Sequence, residues 1–393
     1  MLRFFRSGVR NPSDSTALST GPLPDLTQAL ECLRKTKPNV VLSQYPADSF
    51  EQYSRIHKGL STWAQHPNHV PHRAAGFAGP WIENRYISHF QPLIKTKADL
   101  IHHFGPYIPI FVPWTDHWVK SNYKYPRALV NKMQGLLRED DLYIIIVQND
   151  DGFVGRCSEF QALQDSYHIT VLSAGGWGHV PIPLLKQVRT SLLGDYRQRW
   201  FELSCLVNDS MKPEKKSNTI HVEKREHLVS YVGSDGNAPD NLRKDMIAQD
   251  QVHYYKGDSW RSVMANSKFS LAQRGYGRTS YHLMEALQMG LIPIQVYAYQ
   301  PWIPYKHILQ NVTFAVNMNE LPELILELSR KSDAQIEHIE DQIEGLIERF
   351  FTFDGVLNEI QNFMTNPNLS ALKCDKLPTT SGSGWTKGNR KCS

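Results

Sequence analysis

Between Lys268 and Val296 the chain sets Arg274 and Arg278 around Gly275 and Gly277 and follows them with two hydroxyls, Thr279 and Ser280. A loop of this kind entering a helix gathers free backbone amides, the positive end of the helix dipole, hydroxyls and guanidinium charge. That combination binds a diphosphate. Glu285 lies five residues beyond Ser280, about 7 Å further along a helix rising about 1.5 Å per residue. The span matches that from a diphosphate to the ribose of the same nucleotide, where a carboxylate accepts both ribose hydroxyls. The glycine spacing fits neither GxxxxGK[ST] nor GxGxxG, which argues against a P-loop or a simple dinucleotide fold.

The surrounding elements can position these groups. Lys268 to Ala272 has the length and apolar content of a strand, and a helix is expected to begin near Thr279 or Ser280. Leu283, Met284 and Leu287 give that helix a buried side, and Gly290 is placed to end it. Further short apolar strands are expected at Leu228 to Val232, Ile292 to Val296 and Thr313 to Val316. In the first half they fall at Val40 to Leu42, Ile108 to Val112, Tyr143 to Val147 and Ile169 to Leu172. Strands alternating with helices predict a doubly wound α/β domain in each half of the 393 residues, which are 41% apolar. The expected boundaries are a mobile tail over 1–37, a first domain over 38–206, a charged, solvated connection over 207–227, a second domain over 228–364, and a disordered tail over 365–393. The stripe Ile336, Ile339, Ile343, Leu346, Ile347 and Phe350 predicts a long helix with Glu340, Glu344 and Glu348 turned to water.

A catalytic base would have to come from the first domain, on a loop that ends a strand. Asp150 and Asp151, in Gln148-Asn149-Asp150-Asp151-Gly152, follow the Tyr143 to Val147 run directly, although Asp-Asp-Gly is also an ordinary turn signature. Asp116 and His117 are the alternative. His179 lies in a glycine-rich loop beside Trp177, whose ring suits stacking on a pyranose. Trp63, Trp81, Trp114 and Trp118 lie near His66, His69 and His72. Spacing of three suits one helix face for a metal, but Pro67 and Pro71 interrupt that helix.

Ser267, Lys268, Phe269, Leu271, Gly275, Ser280, Glu285, Ala286, Gly290, Ile292 and Pro293 match the core pattern S-K-F-C-L-x-P-x-G-x-x-x-x-S-x-R-x-x-E-A-x-x-x-G-C-I-P-V of the exostosin-like glycosyltransferase family, which this chain resembles. Tyr231 to Ser234 with Arg243, Pro304-Tyr305, Thr313 to Val316 and Glu320 to Ser329 extend the resemblance over about 228–350. From about 80 to 205 it is weaker. The resemblance implies a GT-B architecture, with two facing Rossmann-like domains and the nucleotide sugar held by the second. The reaction it implies is the inverting, metal-independent transfer of a sugar from a UDP-sugar to a glycan hydroxyl. The roles that follow are Arg274 and Ser280 at the phosphates, Arg243 as a further phosphate contact and Glu285 at the ribose, with Gly275, Arg278 and His282 as further candidate nucleotide-binding residues of the same segment. The chain departs from the pattern at Ser270, Gln273 and Leu291, and above all at His282, where the family has Arg. An imidazole is shorter and mostly neutral near pH 7. Arg278 is placed to compensate; without that, the donor has changed, or the chain binds a carbohydrate or nucleotide without turnover.

A net charge of +4, from 43 basic and 39 acidic residues, provides no field that demands nucleic acid or an anionic membrane. No window has the apolar length of a membrane span. Met1 to Arg10 lacks the apolar core of a secretory signal, so the chain reads as cytoplasmic as written, or as Golgi-lumenal by resemblance if a targeting segment is missing. Five cysteines without a CxxC pair exclude the usual structural zinc site, and their odd number makes no disulfide framework. Sequons begin at Asn208, Asn311 and Asn368.

Overall fold

A computed structural model of the chain describes residues 26–42, 44–64, 82–121, 124–153, 158–185, 220–233, 242–275, 277–298 and 300–375. The expectations for His66, His69, His72, Trp81 and Asn208 lie outside these residues. So do most of the two tails and the first part of the charged connection.

The fold is α/β, built on two wholly parallel sheets, the paired Rossmann-like arrangement that a GT-B architecture requires. The first half begins with helices α1 (Leu26–Arg34), α2 (Ser49–Gly59), α3 (Ser61–Ala64), α4 (Ile82–Phe90) and α5 (Lys97–Phe104). Strand β1 (Ile108–Pro109), α6 (Trp114–Lys120), α7 (Arg127–Gln134), β2 (Leu142–Val147), α8 (Ser158–Ser166), β3 (His168–Ser173) and β4 (Val180–Pro181) complete it. The strands lie in the order β1-β2-β3-β4. β2 is Leu-Tyr-Ile-Ile-Ile-Val with every residue buried, as a central parallel strand covered on both faces must be.

The second half runs β5 (His227–Val232), α9 (Leu242–Ile247), β6 (Val252–Tyr255), α10 (Trp260–Ala265), β7 (Ser267–Gln273), α11 (Tyr281–Gln288) and β8 (Ile292–Val296). It continues through α12 (Lys306–Leu309), β9 (Phe314–Val316), α13 (Leu321–Leu328), α14 (Asp333–Phe350) and α15 (Phe353–Thr365). Its sheet has the order β6-β5-β7-β8-β9. Gly290 ends α11 with a φ of 68°, the left-handed position that a helix C-terminus favours. Ser332 caps α14 reciprocally with Gln335, as Thr96 caps α5 with Asp99.

Several expectations are corrected. Val40 to Leu42 is not a strand; Val41 is 75% exposed and joins no ladder. Of Ile108 to Val112 only two residues are strand, since Pro109 and Pro113 lack the amide a ladder uses, although Ile110 still donates to the Ile144 carbonyl. The 1–37 stretch is not wholly a tail: α1 buries Ala29, Leu30, Cys32 and Leu33. Nor does a disordered tail begin at 365, because Ser370, Ala371 and Leu372 are buried and Cys374 is disulfide-bonded to Cys32. The odd cysteine count therefore conceals one bridge. The end of the charged connection is not solvated either. Arg225 is buried and grips Glu340 of α14 through two bonds, 2.7 and 2.9 Å, so Glu340 faces inward instead of toward water.

The closing helix belongs as much to the first sheet as to the second. From α15, Phe363 stacks on Tyr107 and Gln361 bonds His103, while Arg85 of α4 lies over the Phe353 ring. Lys35 then donates to the Cys374 carbonyl and the Asp375 amide to that of His179. Buried apolar side chains from both halves form one continuous cluster.

Candidate functional site

In open parallel sheets, ligands bind outside the carboxyl ends of the strands where the winding reverses. In the second sheet that point lies between β5 and β7, because β6 lies to one side of β5 and β7 to the other. Residues 274–280 leave the carboxyl end of β7, and Arg243 follows β5 on α9. Topology thus brings to one crevice the segments that the sequence singles out separately.

The 274–280 loop is closed on itself by the Gly275 amide, which donates to the Thr279 carbonyl at 2.9 Å, while the Arg274 amide holds Val296. Arg274 and Arg278 are both buried. Burial, reinforced by the charge of Arg274, brings Arg278 down to about 10, so it stays cationic at neutral pH. Ser280 caps α11 in extended conformation, yet its hydroxyl oxygen is out of reach of solvent and makes no hydrogen bond among the described residues. A buried hydroxyl without a partner is costly. It stands at the start of α11, in the loop that also carries Arg274 and Arg278. His282 turns inward: Nε2 lies 3.3 Å from the Ser270 hydroxyl, and Nδ1 lies 3.6 Å from Glu285. The ring thus lies between Ser270 and Glu285, within the unit and not toward the loop. The loop after β5 and the reach of Arg243 across it lie partly outside the described residues.

The first sheet meets this loop directly. The Gly277 amide donates to Asp150 Oδ1 at 3.1 Å, the Arg278 amide to the Gly175 carbonyl at 3.0 Å, and Gln148 Nε2 to the Tyr281 hydroxyl at 2.9 Å. Trp302 Nε1 adds a bond to the Ser173 carbonyl. A Cβ at Gly277 would collide with the Gly175 carbonyl, so glycine is what permits this approach. The Tyr281 hydroxyl is pushed well above its ordinary value by burial first and by the Asp150 carboxylate next, with Glu285 also contributing. Asp150, Tyr281 and Glu285 thus occupy one neighbourhood. Asp151 sits one step further on, in a turn where its amide bonds Asn149 Oδ1. The Asp-Asp-Gly segment is a turn, and the turn presents Asp150 to the opposite unit.

Other candidates are placed elsewhere. His179 is a core histidine, with Nδ1 accepting from the Val171 amide and Nε2 facing the Thr36 hydroxyl. Burial, then the charge of Lys37, lowers it to about 3, so it cannot carry a proton for catalysis near neutrality. Trp177 stacks under the Arg278 guanidinium, 4.4 Å from ring centre to carbon, and the ring engages a cation where a sugar was expected. His117 is buried and its Nε2 donates to the Trp63 carbonyl, while Asp116 accepts from Asn84. Among the described residues no group of three His, Cys, Asp or Glu side chains could hold a metal.

Sequence reasoning passed over Glu83. It is 1% exposed and accepts from the Thr115 amide and hydroxyl and from the Gln148 amide, at 2.6–2.8 Å. Burial pushes it up to about 8 against those three donors. Through Gln148, which also accepts from the Ile82 amide, it fixes the side chain that reaches Tyr281. The only signal in the sequence was an acid beside Ile82 at the start of an otherwise apolar helix face.

No family profile matches this chain, and no curated protein matches it. Among solved structures, one chain of the crystallised GtfA/B complex is similar over 61% of this chain and 48% of its own length, at 12% identity and a TM-score of 0.27. The present chain thus spans about half of that one. So slight a likeness assigns no chemistry.

Proposed function

We propose that the chain is an inverting, metal-independent glycosyltransferase that moves a sugar from a UDP-sugar to a hydroxyl of a glycan or glycoconjugate. The observation that carries this reading is the meeting of the 274–280 loop, with its two guanidinium groups and unbonded Ser280 hydroxyl, with Asp150 of the opposite sheet. Arg274, Arg278 and Ser280 would take the diphosphate, with Gly275 leaving the backbone accessible and Arg243 adding charge. Glu285, with His282 beside it, would take the ribose. An inverting displacement needs positive charge at the leaving diphosphate and a base at the attacking oxygen. Asp150 fills the second role, with Asp151 as the neighbouring alternative. Substrate entry requires the Gly277 and Arg278 backbone bonds to the first unit to open. The resemblance to the exostosin-like family supports the same assignment, and the Cys32–Cys374 bridge suits an oxidising compartment such as the Golgi lumen.

UDP release from a panel of UDP-sugars, with a glycan acceptor and EDTA present, tests the reading. Turnover is expected with at least one donor. Arg274→Ala should lower kcat/KM by about 10²–10³-fold, and Asp150→Asn should lower kcat by about 10²–10⁴-fold. UDP binding without turnover from any donor would instead favour a catalytically silent relative, a reading to which the closed interface lends weight. Neither binding nor turnover overturns both.

A further inference from the structure

A groove of about 620 Å³ opens on the first unit between α2, α3 and α7, sharing no residue with the 274–280 loop. Its volume falls within the roughly 300–1,000 Å³ of ordinary ligand sites. Arg55, Lys58 and Lys132 line it together with Trp63 and the hydroxyl residues Ser61 and Thr62, and among the described residues no carboxylate does. Gly59 makes the floor possible, since a Cβ there would press into the Leu136 side chain.

The charge is uncompensated and partly fixed in place. Arg55 bonds only neutral acceptors, Gln52 Oε1 at 2.8 Å and the Leu136 carbonyl at 2.7 Å, which hold the guanidinium while leaving other donors for a ligand. None of the three cations forms an ion pair among the described residues. Asp48, which feels the charge of Arg55, is already held by two bonds from Arg138. An indole beside hydroxyls suits the apolar face and hydroxyl rim of a sugar ring, and guanidinium and ammonium groups suit carboxylate or sulfate. A polynucleotide would call for a longer basic track and several stacking rings.

We infer that this groove binds an anionic saccharide chain, one bearing carboxylate or sulfate groups. The inference does not depend on the transferase reading, and its test needs no donor. Calorimetric titration of the full chain would use four probes: an oligogalacturonate hexamer, a heparin-derived hexasaccharide, uncharged cellohexaose, and a single-stranded 12-nucleotide DNA. Binding is expected for one or both anionic saccharides, weakening with added salt, and the preferred one identifies the anionic group. A K58E/K132E variant, altered at two exposed positions, should bind that saccharide at least about tenfold more weakly with an unchanged melting temperature. Equal binding by the variant, binding to neither saccharide, cellohexaose binding as tightly as the anionic chains, or tighter binding of the DNA would each overturn the inference.

Discussion

At the residue scale, burial decides which titratable side chains can serve chemistry. His179 accepts a backbone hydrogen bond at Nδ1 and lies in the core, which keeps it neutral. Its value of about 3 lies below the ordinary 6.5, so as the pH falls the unfolded chain takes up the proton first. The contribution of His179 to stability is complete above about pH 6.5 and is lost as the pH drops from there toward 3, at up to about 1.4 kcal/mol per pH unit. Denaturant unfolding measured across that window should show stability falling, with a shallower slope in His179→Gln. Asp150 differs because its carboxylate meets the opposite unit. If Asp150 alone is the base, Asp151→Asn should keep kcat within a few fold of the parent while Asp150→Asn does not, a comparison that steady-state kinetics reads directly.

At the element scale, helices are held in place by buried polar groups that composition alone assigns to the surface. Arg225 and Glu340 form a bidentate, fully buried pair that fastens the entry to β5 onto α14. Removing either partner leaves a buried charge uncompensated, so Arg225→Ala or Glu340→Ala should each cost about 3–5 kcal/mol in chemical denaturation. An Arg225→Met/Glu340→Leu double variant should recover most of that loss. A similar logic governs α4, where Glu83 satisfies three donors. Truncating it would strand Thr115 and Gln148 and release the amide that reaches Tyr281.

At the scale of the whole molecule, the described residues join the two sheets at two places. One junction is the loop contact at the crevice. The other is α15 with the segment after it, which lies on α4 and α5 and is pinned to α1 by the bridge between Cys32 and Cys374, 342 residues apart in the chain. A bridge spanning almost the whole chain restricts the unfolded state strongly. Cys32→Ser, or reduction of the parent, should lower unfolding stability by roughly 2–5 kcal/mol. The same change should speed amide exchange first in residues 370–375.

Local pattern was sufficient wherever a run of residues dictated its own structure. The all-apolar β2, the strand, glycine loop and helix from Ser267 to Gly290, and the stripe of α14 were legible because period, capping and turn chemistry are local properties. So was the clustering of Arg274, Arg278 and Ser280 ahead of α11, which is composition at a helix start. Tertiary structure alone decided what depends on residues far apart in the chain. It placed Asp150 against Gly277, locked His179 and Glu340 inside, put Trp177 beneath Arg278, and joined Cys32 to Cys374. Burial and pairing arise from the packing of distant segments, and no window of sequence contains both members of such a pair.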